Sequence, residues 1–106
     1  MTTENRYSHG KIYKLIDNRT GMFYFGSTAL KRLDQRYSKH KNSSKNEDKN
    51  KTKLYQQFTF NKFSCGDIRI ILTEEVSVNT KQELVKIKNA YIGKNLNNPL
   101  CLNTHF

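Results

Sequence analysis

Two short runs of aromatic and aliphatic residues, Lys11–Asp17 and Met22–Ser27, lie so close together that they leave this chain few folding options. Only Asn18-Arg19-Thr20-Gly21 separates them, and Asn and Gly tolerate the positive φ that tight turns require. The spacing predicts a β-hairpin. Alternation places Tyr13 and Leu15 on one face of its first strand, with Ile12, Lys14 and Ile16 on the other. In the second strand Phe23 and Phe25 oppose Met22 and Tyr24. A helical pattern follows at once. Leu30, Leu33 and Tyr37 share a face, and Arg36 and His40 lie one turn apart beside them. This helix is predicted from about Ala29 into the low forties, with Ser27 or Thr28 as its N-cap.

Downstream, Lys41–Lys53 contains no apolar residue and reads as a flexible, solvated loop. Its lysines either touch phosphates or only keep the loop in solution, and Glu47 and Asp48 dilute the patch. Leu54–Phe58 predicts a short helix. Asp67–Thr73 predicts a third strand, apolar enough to be covered on both faces. Thr80-Lys81-Gln82-Glu83 fits a capping box for a helix reaching about Asn95, where Asn97-Asn98-Pro99 stops it. Its apolar stripe is Leu84, Val85, Ile87, Tyr91 and Ile92. Lys88 sits at the centre of that stripe, at about 100° per residue. A lysine there either snorkels to the helix edge or faces a polar cleft. Residues 1–9 read as a polar arm, and Leu100–Phe106 as a tail able to dock on the core.

A chain of 106 residues suits one domain with a single modest core. The expected class is α+β: a small, three-stranded, mainly antiparallel sheet flanked by helices. A net charge of +10 favours an anionic partner, nucleic acid before an acidic membrane surface. No apolar run is long enough to span a bilayer, and no apolar segment near the start suggests a signal peptide. Cys65 and Cys101 alone suggest neither a zinc site nor a disulfide framework, so an intracellular, unsecreted protein is expected.

Taken in order, these residues resemble the GIY-YIG nuclease family, named for two tripeptides on neighbouring strands. The first corresponds to Lys11-Ile12-Tyr13, with Lys in place of Gly. The second corresponds to Tyr24-Phe25-Gly26, with Phe in place of Ile. Gly26-Ser27-Thr28, Leu33, Arg36, His40, Tyr91-Ile92, Pro99 and Asn103 continue the family spacing, so the resemblance runs from Gly10 to Asn103. It implies a DNA endonuclease that hydrolyses phosphodiesters with Mg²⁺ or Mn²⁺ and needs no small-molecule cofactor. It also implies roles for Tyr13 near the nucleophilic water, Tyr24 on water or phosphate, and Arg36 as a phosphate fork. His40 would relay a proton or touch phosphate, and Asn103 would brace the site. As a general base, Tyr13 would need a cation to lower its pKa. Lys39, Lys41 and Lys45 are candidate DNA contacts.

One position departs from the family in a way that changes the chemistry. Lys88 stands where the family has the glutamate that ligates the metal. An ammonium repels Mg²⁺, which takes oxygen donors. Glu83 is about 140° around the same helix, and the direction of Glu74 and Glu75 is open. The chain is therefore expected to be inactive or nearly so with a metal. The rival readings are a DNA-binding module that does not cut and a basic RNA-associated protein. With no targeting domain visible, sequence specificity would come from self-association or a separate partner.

Overall fold

The computed structural model describes residues 7–45 and 53–103. β1 (Gly10–Asp17) and β2 (Phe23–Thr28) form the expected antiparallel hairpin, with Tyr13 opposite Gly26 and Lys14 opposite Phe25. The turn closes on Asp17. Its carbonyl accepts from Gly21 N at 2.8 Å and its carboxylate from Arg19 N at 2.9 Å. Gly21 adopts φ +78°, a region that glycine enters without a steric penalty. Asn18 does not share that conformation, since no described non-glycine residue has a positive φ.

β3 (Ile68–Val76) pairs antiparallel with the other side of β1, giving the order β2-β1-β3. The class is α+β, as expected. The strand runs past Thr73 because that residue forms a bulge: Tyr13 pairs with Leu72 and Ile12 with Glu74. Coverage on both faces is not found. β3 is an edge strand, and Ile71 and Leu72 are 38% and 45% exposed. Its apolar run reflects β-forming side chains rather than burial, since the helix that packs against β1 and β2 leaves β3 largely uncovered.

The first helix, α1 (Leu33–Ser44), starts later than predicted. Ser27 and Thr28 cannot cap it because both remain in the ladder, opposite Ile12 and Lys11. Thr28 Oγ1 accepts from Leu30 N instead, and Gln35 Oε1 accepts from N-cap residue Arg32. α1 also extends into the predicted loop, so Lys41–Ser44 are helical and Ser44 is buried. Residues 46–52 of that stretch lie outside the described residues, and Lys53 opens α2 (Lys53–Gln57). A further short helix, α3 (Phe60–Ser64), was not expected; Thr59 caps it by accepting from Lys62 N. α4 (Lys81–Lys94) begins at the predicted cap, where Thr80 Oγ1 accepts from Glu83 N at 3.2 Å. The Glu83 carboxylate closes the cap on Asn79 N.

The strand alternation divides the core. Tyr13 and Leu15 pack with Phe58, Phe63, Ile68 and Leu102, beneath α1 and α3. Phe23 and Phe25 pack on the opposite face with Ile92, Tyr91 and Ile16, beneath α4. Asp17 links the hairpin to α3 through Lys62, Oδ2 to Nζ 2.8 Å. The tail docks as predicted up to the last described residue. Phe23 N donates to Leu100 O, Leu102 N donates to Phe23 O, and Cys101 forms a parallel bridge with Phe23.

Candidate functional site

A single pair of backbone positions sets the geometry of the site. Tyr13 and Gly26 face each other across the hairpin, and the tyrosine ring lies flat over the glycine. A Cβ at position 26 would sit 2.3 Å from both Cζ and Oη of Tyr13. Only the missing side chain lets the phenol lie against the strand.

That placement brings the hydroxyl into a line of polar groups. Arg36 Nε donates to Tyr13 Oη at 3.0 Å, and Tyr13 Oη lies 2.6 Å from His40 Nε2. His40 Nδ1 in turn lies 3.0 Å from Tyr55 Oη. Arg36 and His40 are presented by the same face of α1, one turn apart. Burial, with the Arg36 charge adding to it, lowers the His40 pKa to about 3. The imidazole is thus neutral, with one nitrogen donating and the other accepting. A proton arriving at Tyr13 can pass to His40 and toward Tyr55 along existing hydrogen bonds. Burial also pushes the Tyr13 hydroxyl up to about 12, overriding the opposing pull of Arg36. The lowering that a Tyr13 general base would need is therefore not supplied by Arg36 alone. Tyr24 is raised as well, by burial first and then by Tyr55.

Tyr13 and Tyr24 form the floor of a cleft of about 460 Å³. The strand end and the connection after it, Gly26–Leu30, make one wall. α1 supplies Arg36 and Lys39, and α4 supplies Lys81, Leu84, Val85 and Lys88. Lys11 fastens this wall to β1 by donating to Leu30 O at 3.1 Å, which gives that lysine a structural task. Tyr7 also reaches the cleft. Its carbonyl accepts from Gly10 N and Val78 N, so the predicted polar arm is anchored at this end.

Of the other expected site residues, Lys88 faces the cleft. Burial lowers its pKa, and the charges of Lys81 and Arg36 lower it further. His40 stands behind Tyr13, nearly fully buried. Asn103 does not line the cleft. Its carboxamide is bonded to the backbone of β2, with Phe25 N donating to Oδ1 at 2.8 Å and Nδ2 donating to Phe25 O at 3.0 Å. Lys39 alone of the three candidate DNA contacts joins the cleft wall. Lys41 and Lys45 fall about 140° and 180° around α1 from Arg36. Their ammonium groups sit 5.7 and 4.7 Å from the Phe60 ring centre, on the far face of the helix.

The donor set does not fit a divalent cation. The cleft lining contains four cations and no carboxylate. Among the described residues no three His, Cys, Asp or Glu side chains cluster in a way that could hold a metal. Glu74 accepts from the Tyr91 hydroxyl, Glu75 faces His9, and neither lines the cleft. Sequence reasoning missed Tyr55 and Lys81. Lys81 was findable, since seven residues before Lys88 is the same helix face. Tyr55 was not, because no spacing rule links α2 to His40. Among the described residues no helix is long and apolar enough to cross a membrane.

Comparison with protein-family models, curated proteins and solved structures finds no match.

Proposed function

We propose that this chain is a GIY-YIG-type domain that engages the phosphodiester backbone of DNA in the cleft between α1 and α4. The observation that carries this reading is the lining. Arg36, Lys39, Lys81 and Lys88 line the cleft together with Tyr13 and Tyr24, with no carboxylate among them. Such a cleft favours an anion, and Arg36 has its terminal NH₂ groups to offer to paired non-bridging oxygens. The order of Tyr13, Tyr24, Gly26, Arg36 and His40 along the chain supports the family resemblance. So does the meeting of Tyr13, Arg36 and His40 in one hydrogen-bonded line.

That line favours a second reading, a DNA endonuclease. Tyr13 would take a proton from an attacking water while passing its own to His40 Nε2, with the His40 Nδ1 proton moving on toward Tyr55. The water oxygen would bond to phosphorus as the P–O bond to the leaving sugar oxygen breaks, and that oxygen would take a proton from solvent. Arg36 would neutralise charge on the phosphate. The carboxylate with which the family holds Mg²⁺ or Mn²⁺ is replaced by Lys88, so the chain as it stands binds DNA and cuts poorly or not at all. Specificity for a site in DNA would then come from self-association or a separate partner.

A supercoiled-plasmid assay with Mg²⁺, Mn²⁺ and EDTA, run beside a duplex-binding titration, tests both readings. The expected result is duplex binding without EDTA-sensitive nicking by the unaltered chain. Lys88→Glu gains EDTA-sensitive nicking, and Lys88→Ala does not. Robust metal-dependent nicking by the unaltered chain restores the endonuclease reading. Failure to bind duplex DNA, or clear preference for RNA in competition, overturns the proposal.

A further inference from the structure

We propose that Lys88 and Arg36 form a two-sided phosphate clamp in which the Lys88 ammonium takes the place of a divalent ion, so that DNA binding at this cleft is independent of metal. The inference rests on the reading above and adds the identity of the group that neutralises the phosphate. Lys88 is on the packed face of α4 rather than its outer face, between the turns of Leu84 and Ile92, which are both buried. Its stem does not carry the ammonium away to the helix edge, because the residue lines the cleft together with Val85 and Lys81. Among the described residues it has no ion pair. Its neighbours are cations instead: Lys81 on its own helix and Arg36 on α1 both disfavour its charge.

A half-buried cation flanked by cations is a costly arrangement in isolation. The cost is not offset from within. Glu74 is held by Tyr91, and Glu75 faces His9. The missing counter-charge therefore comes from a ligand. Its chemistry is narrowed by the other groups in the cleft. Arg36 spends Nε on Tyr13, which leaves the two NH₂ groups of a cleft-lining residue as donors for a ligand. Of the two phenols at the floor, Tyr13 is already bonded to Arg36 and His40, and half-buried Tyr24 remains neutral and able to hydrogen-bond. A phosphate oxyanion satisfies donors on both walls at once. A bare Mg²⁺ ion finds repulsion and no carboxylate.

The test measures binding of a fluorescent 20-base-pair DNA duplex in EDTA, over a series of NaCl concentrations, and again with MgCl₂ at matched ionic strength. Lys88→Gln should weaken binding about eightfold at 0.1 M salt and reduce the salt slope by about 0.9, the signature of one lost phosphate contact. Lys86→Gln removes the same charge from the exposed side of α4 and should change affinity less than about twofold. Lys88→Arg should retain binding. Because Lys88→Gln relieves repulsion in the cleft, it should melt no lower than the unaltered chain, and Lys88→Met gives a second variant should it misfold. Binding that needs Mg²⁺, or equal effects of Lys88→Gln and Lys86→Gln, overturns the clamp while leaving DNA engagement standing. No binding by the unaltered chain overturns both.

Discussion

A methyl group at position 26 would have nowhere to go. The atoms it meets belong to a ring that is itself enclosed, so Tyr13 cannot simply swing aside. Gly26→Ala is expected to cost about 1–3 kcal/mol and to move the phenol away from Arg36 and His40. Urea denaturation measures the first effect. The second appears as loss of the Tyr13 hydroxyl proton's slow exchange in NMR spectra of the neutral protein. His40 gives a pH signature with a definite sign. Its folded pKa of about 3 lies below the ordinary 6.5, so the unfolded chain binds the proton first. Stability is fully present above pH 6.5 and falls toward pH 3, by up to about 1.4 kcal/mol per unit. His40→Gln should flatten this limb in denaturation curves measured across that range. Asp17 adds to the loss only at the acid end. Burial pushes its carboxyl up, but hydrogen bonds from Lys62 and Arg19 hold it below the usual carboxylate range.

At the level of elements, the tail acts as a short parallel partner of β2. Asn103 completes it by pairing its side chain with both backbone groups of Phe25, the residue between Tyr24 and Gly26. Asn103→Ala leaves those two groups unpaired and should cost about 2 kcal/mol, read from the urea midpoint, with faster amide exchange at Phe25. Asn103→Asp should cost no less, since a carboxylate would face the Phe25 carbonyl. How much of this could be read from the chain differs between elements. The hairpin and the start of α4 were legible because turn and cap chemistry is local: Gly21 and Thr80 do what their positions require. The start of α1 was not. Ser27 and Thr28 are good caps, but their strand pairing prevailed over local preference. β3 misled for the opposite reason, because an apolar run cannot reveal which strand ends at a sheet edge. In the site, the spacing of Arg36 and His40 on α1 was readable. The far-side placement of Lys41 and Lys45 depended on that helix continuing through a stretch that reads as loop. Asn103 was found by resemblance, but its two bonds to Phe25 needed the fold.

For the molecule as a whole, the surplus of positive charge would give the proposed affinity for DNA a broad, unspecific component. The cleft gives it a place. If its four cations each meet a phosphate, the plot of log affinity against log salt should have a slope of roughly −3.6. Fluorescence anisotropy with the same duplex between 50 and 300 mM NaCl, taken as about the physiological window, measures it. A slope near −1 would mean that DNA touches the protein elsewhere.

The clasp between Phe25 and Asn103 spans 78 residues of chain. On a ribosome the hairpin emerges early, while α4 and the clasping residue emerge near the end of the described chain. Until then Tyr13 and Tyr24 lie on an unbraced ribbon with half of the cleft's cations still unmade. The nascent protein thus passes close to ribosomal RNA before its cationic cleft exists. That cleft is assembled only once residues 81–103 have left the exit tunnel.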